Sequence, residues 1–106
     1  MKDEFIEAIR KRRLVTVKFF SDEDRAVLTR KCAAMDYGPT RRYSDGRDRY
    51  HLWDYESDEK PHPLLIVPES IESMRVLDET FDPTDFVTWD TAVSPWHISR
   101  DWGAFS

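Results

Sequence analysis

Between residues 3 and 12 the apolar positions Phe5, Ile6 and Ile9 fall on one stripe of a helix, with Asp3 and Glu4 at its positive end and Arg10 to Arg13 at its negative end. This spacing predicts an amphipathic helix over 3–12, and the helix dipole accounts for the first basic cluster without any ligand. At Leu14 the period changes. The stretch "LVTVKFF" is β-branched and aromatic and sets Val15, Val17 and Phe19 against Thr16 and Lys18, which predicts a strand. "SDEDR" supplies turn formers, and residues 26–37 read as the antiparallel partner, with small Ala33 and Ala34 where a bend or bulge is tolerated, ending at Gly38-Pro39.

The loop "TRRYSDGRDR" carries an Asp-Gly turn signal and leads into "YHLWDY", where His51, Trp53 and Tyr55 share one face and Tyr50 and Leu52 the other. Both faces carry bulk. Trp53, at the middle of this run, is expected to be largely buried against Val17 and Phe19. After a charged, proline-closed turn at 56–63, which includes Asp58, "LLIV" reads as a short buried strand stopped by Pro68, and 71–78 as a last strand with Met74 and Val76 inward. One helix followed by five short strands predicts a mainly β fold, a small, strongly bent sheet or barrel over residues 1–86. The tail 87–106 holds three of the four tryptophans, Trp89, Trp96 and Trp102, and is expected to be ordered, packed on the barrel or on a partner.

With 106 residues, 40% hydrophobic and 35% charged, the composition is that of one soluble domain, and no apolar run approaches the roughly 18 residues of a membrane span. The N-terminal stretch lacks the apolar region and cleavage site of a secretory signal, so a cytoplasmic location is expected, without membrane partners. The one cysteine, Cys32, excludes an internal disulfide and sits on a strand as a small core hydrophobe. His51, His62 and His97 show no metal spacing. With no Gly-rich phosphate loop, nucleophile elbow or paired Cys and His, the chain reads as a non-enzyme without cofactors. The net charge of −5 disfavours binding along a long nucleic-acid backbone, but Arg41, Arg42, Arg47 and Arg49 cluster locally.

In order, the helix, "VTVKFF", "LTRK", "RYHLWDY" and "IESMRVLDETFDPTDF" resemble the WYL domain over about residues 5–86, with Ile71, Val76, Leu77, Phe81 and Phe86 at the positions of its closing strand and aromatic. The resemblance implies an Sm-like or SH3-like five-stranded barrel that senses a ligand, sometimes a nucleotide or nucleic acid, usually beside a winged-helix domain in bacterial regulators; here the DNA-reading domain is expected to be absent. At the naming motif the chain has Arg49-Tyr50-His51, keeping only the tyrosine, and at the family's Asp-Arg-Ile it has Glu69-Ser70-Ile71; Arg30 matches the family's second-strand arginine, while the proline that commonly follows is missing near Ala33 and Ala34.

These observations select candidate ligand contacts. Arg30 alternates with Leu28 and Cys32 on one strand face, so it needs a bound anion or a carboxylate, for which Glu69 is the expected partner. Arg41, Arg42 and Arg49 offer guanidinium forks to phosphate or carboxylate, and Tyr43 and Tyr50 offer stacking faces; in the bland alternative the loop is solvated and neutralised by Asp45 and Asp48. Together they predict a ligand-sensing or regulatory module, with Arg30, Arg41, Arg42, Arg49 and Tyr50 contacting a small anionic or nucleotide-type ligand or a short single-stranded nucleic acid. A structural adaptor barrel for a protein partner or self-association is the alternative.

Overall fold

A computed structural model describes residues 1–57 and 60–106, so Asp58 and Glu59 of the expected 56–63 turn lie outside the described residues. The chain is mainly β with one N-terminal helix: α1 (Lys2–Lys11) precedes β1 (Arg13–Ser21), β2 (Ala26–Gly38), β3 (Arg49–Asp54), β4 (His62–Ile66) and β5 (Ile71–Thr80). The helix ends where Arg12 adopts a left-handed conformation, φ 55°, and its amide closes the last turn onto the Ala8 and Ile9 carbonyls. That sharp stop reverses the chain directly into β1.

All five strands join one antiparallel sheet in the order β4-β3-β2-β1-β5. Among the described residues no ladder joins β4 to β5, so the sheet stays open; of the two expected forms it is the sheet and not the barrel. The two free edges are unattractive to further strands. Short β4 carries Pro63, which cannot donate to a ladder, and β5 exposes Glu72, Arg75, Asp78 and Glu79.

The helix lays Phe5, Ala8 and Ile9, all fully buried, against a core that includes Val15, Val17, Cys32 and Leu52. Removing each large apolar side chain from water contributes about 1.5–3 kcal/mol. Cys32 sits inside this core, where burial pushes its thiol well above the usual range and leaves it unreactive.

Strand β2 bends near the expected small residues: Ala34 pairs with Leu52 and Asp36 with His51, so Met35 is the extra residue of a bulge. Residues 32–36 are consequently buried without interruption. On β3 the expected face assignment is corrected. Tyr50 and Leu52 enter the core, Tyr50 edge-on to Phe5 at 4.9 Å, whereas Trp53 is only half-buried and packs on Phe86, its ring centroid 5.9 Å away. The register sets Trp53 opposite Ala33 and Ala33 opposite Leu14, so alternation turns Trp53 to the face of the sheet away from Val17 and Phe19, the residues it was expected to meet.

The tail is packed within the chain. Trp102 is 3% exposed, and Trp96, Ile98 and Phe105 are partly buried against the same core. Aromatic edges run from Trp89 through Trp96 and Trp102 to Phe81 and Phe86. The tail is also bonded to β2, where Asp36 accepts bonds from the amides of His97 at 2.9 Å and Ile98 at 3.0 Å. Gly38 allows this approach: with φ 152°, it would place a Cβ 2.7 Å from the His97 ring.

Candidate functional site

The arginine-rich loop between β2 and β3 is organised by one carboxylate. Asp45 opens a turn that Gly46 completes at φ 69°, and its Oδ1 accepts the Arg47 amide at 3.0 Å. The same carboxylate receives a two-pronged contact from Arg49, with both nitrogens at 2.9 Å. The Arg49 fork, with a third contribution from the Arg47 amide, holds Asp45 far below the ordinary carboxylate range. Arg49 is thereby almost covered, and its guanidinium lies 4.1 Å from the Tyr43 ring centroid.

Arg47 turns the other way. Its Nη2 donates to both oxygens of Glu69 at 2.5 Å, tying the loop to the 3-10 turn Pro68–Ser70 that precedes β5. Glu69 is held below its usual range by that arginine, and Arg47 is raised in return.

Between these side chains and the end of β1 lies an open cleft of about 400 Å³. Arg42, Tyr43, Arg47 and Arg49 line it, Phe19, Phe20 and Leu64 supply apolar surface, and Asp22 and Glu23 bring carboxylates to it from the turn that follows β1. Arg42 makes no ion pair among the described residues and approaches Tyr43 at 5.8 Å. A second cleft of about 340 Å³ adjoins the first, sharing Phe19, Ser21, Glu23, His62 and Leu64, and is lined further by Arg30, Asp54 and Lys60.

Of the sequence-predicted contacts, Arg42 and Arg49 meet at the first cleft, Arg41 is exposed on the same loop, and Arg30 faces the second. Tyr50 does not join them. It is 4% exposed, packed between Phe5 and Tyr37, and alternation on β3 points it away from Arg49. The expected partner of Arg30 is also corrected: its Nε lies 3.5 Å from Asp54, which is buried on β3, while Glu69 is taken by Arg47. Strand pairing explains the change, because Asp54 lies opposite Cys32 in the β2–β3 ladder, one step from Arg30 on the same face.

A third polar centre went unread in the sequence. Asp36 and Arg100 form an ion pair at 2.9 Å with side chains 5% and 0% exposed. Beside it, His51 Nε2 donates to the Gly38 carbonyl at 2.8 Å and His97 Nε2 to that of Pro39 at 2.7 Å. Burial lowers the His51 pKa below its ordinary 6.5, against the opposing pull of the Gly38 bond and Asp36. The fold therefore favours neutral His51. Its contribution is complete above the unfolded value of 6.5 and declines as pH falls through the lowered folded value. Urea midpoints taken from pH 7.5 down to 5 are expected to decline for the wild type and to decline less for His51→Gln.

Among the described residues no three His, Cys, Asp or Glu side chains converge as a metal set, and no helix is long and apolar enough to cross a membrane. No family model, no curated protein and no solved structure matches the chain.

Proposed function

We propose that the protein is a non-catalytic, WYL-like binding module of the cytoplasm, which takes a small anionic or nucleotide-type ligand, or a short single strand, at the first cleft and reports it to another protein. One observation carries this reading. Arg42, Arg47, Arg49 and Tyr43 are gathered at a cleft that apolar Phe19 and Leu64 and acidic Asp22 and Glu23 also line, with Phe20 left 42% exposed beside them. Guanidinium forks grip phosphate oxygens, and an exposed aromatic ring stacks a base whatever its identity. The size of the cleft also fits, since ligand sites of about 300–1,000 Å³ take molecules of nucleotide size.

Arg42 is the sharpest probe because it is uncommitted in the loop. A panel of nucleotides and short single-stranded oligonucleotides is expected to raise the melting temperature of the wild type, with affinity falling as salt rises. Arg42→Ala should bind the same ligand about tenfold more weakly, the size of one lost charge-assisted hydrogen bond, with an unchanged melting temperature in the absence of ligand. If the wild type binds nothing in the panel tighter than about 1 mM, anion sensing is excluded.

The adaptor alternative has its own observation. Phe20 and Val27, cross-strand partners near the β1–β2 turn, are 42% and 48% exposed, so the hairpin tip presents apolar surface to a protein partner or a second copy. Sedimentation that shifts with protein concentration, together with a silent ligand panel, would support it.

A further inference from the structure

Arg47 and Arg49 reach the same cleft, yet two different kinds of carboxylate hold them. Asp45 is part of the loop's own architecture: it takes the Arg47 amide as well as the Arg49 fork, and the arginine it grips is only 9% exposed at the side chain. Removing it would dismantle the turn. Glu69 comes from a separate segment, is 61% exposed, and touches the loop through the Arg47 guanidinium, itself 47% exposed. An ion pair this open to water is weak and readily exchanged.

We propose that Glu69 is a resident stand-in for the ligand: its carboxylate occupies the place on Arg47 that a ligand phosphate takes, and binding proceeds by exchange of one for the other. The inference rests on the anion-binding reading above. It also narrows the ligand class. A carboxylate ligand would offer Arg47 the group that Glu69 already presents from the same chain at high effective concentration. A phosphate brings greater charge and a third oxygen, and so displaces Glu69 where an acetate-like group does not. Exchange would release the 3-10 turn before β5 from the arginine loop, giving ligand binding a structural consequence at the edge of the sheet.

The test is an NMR titration of the whole chain with inorganic pyrophosphate and with acetate, using wild type, Glu69→Gln, Arg47→Ala and the double variant. Glu69→Gln should bind pyrophosphate roughly fivefold more tightly than the wild type, the upper range for an exposed pair. In the Arg47→Ala background the same substitution should change nothing, because the exchange partner is gone. An unchanged affinity in Glu69→Gln, or a gain that persists without Arg47 and so reports only general charge, overturns the exchange. Acetate binding the wild type as tightly as pyrophosphate overturns the phosphate assignment. If the wild type binds nucleotides but Glu69→Gln gains nothing, the exchange alone falls. If neither protein binds pyrophosphate or any nucleotide tighter than about 1 mM, the anion site falls with it.

Discussion

Asp36→Ala is expected to lose about 3–5 kcal/mol of stability, the range for removing one partner of a buried ion pair. Asp36 receives the amides of His97 and Ile98 and the Nη2 of Arg100, so one carboxylate answers three donors. Arg100 is enclosed more tightly still. It lies 4.2 Å from the Trp96 ring and 4.4 Å from that of Trp102, and donates Nε to the Ile98 carbonyl at 3.0 Å and Nη1 to that of Met35. Burial lowers its pKa to about 10, with Asp36 opposing the shift, so at neutral pH the guanidinium is charged and depends on that counter-ion. The alanine variant would leave the Arg100 cation without its counter-ion and the amides of His97 and Ile98 without their acceptor. Urea unfolding measures the loss; a change under about 1 kcal/mol would show that solvent reaches the pair and that the tail is not pinned there.

Trp102→Ala should cost a similar amount, about 3–5 kcal/mol for a buried aromatic. Its indole is wedged edge-on to Phe81 at 5.4 Å and Trp96 at 5.4 Å, and its Nε1 donates to the Ile9 carbonyl at 2.8 Å. That carbonyl, in the last turn of α1, already accepts the Arg12 amide, so the indole supplies its second donor and ties the tail to the helix end as well as to the core. Limited proteolysis gives a second readout: the wild-type tail should resist cleavage, and the variant should be cut beyond Val87 before the sheet is attacked. Rapid trimming of the wild type with no change in melting point would overturn this packing. Combined with Asp36→Ala, the loss should fall short of the sum, because both substitutions act on Arg100.

The amino-acid sequence by itself determined the elements and their order. The stripe Phe5, Ile6, Ile9 lies within the observed helix Lys2–Lys11, and the alternation through Val15, Val17 and Phe19 lies within β1. The small residues Ala33 and Ala34 stand immediately before the bulge at Met35. Such signals are local: a helix turn or a pleat is set by residues a few positions apart, so its periodicity survives in the bare chain. The face of "YHLWDY" was not legible, because Tyr50 and Trp53 are equally bulky and only the seating of Phe5 over Tyr50 selects which side is core. The loop arginines were legible as a cluster, and Asp45 as a neutralising neighbour, but the choice of Glu69 for Arg47 and Asp54 for Arg30 was not. Any of several carboxylates could have served either arginine until the β2–β3 register brought Asp54 to Arg30 and the turn before β5 brought Glu69 to Arg47. Asp36 and Arg100 are separated by 64 positions and look in sequence like two ordinary surface charges. Only the tertiary structure decides that they pair, because the desolvation that makes the pair matter is supplied by Trp96, Trp102 and the bulged β2 after the chain has closed around them.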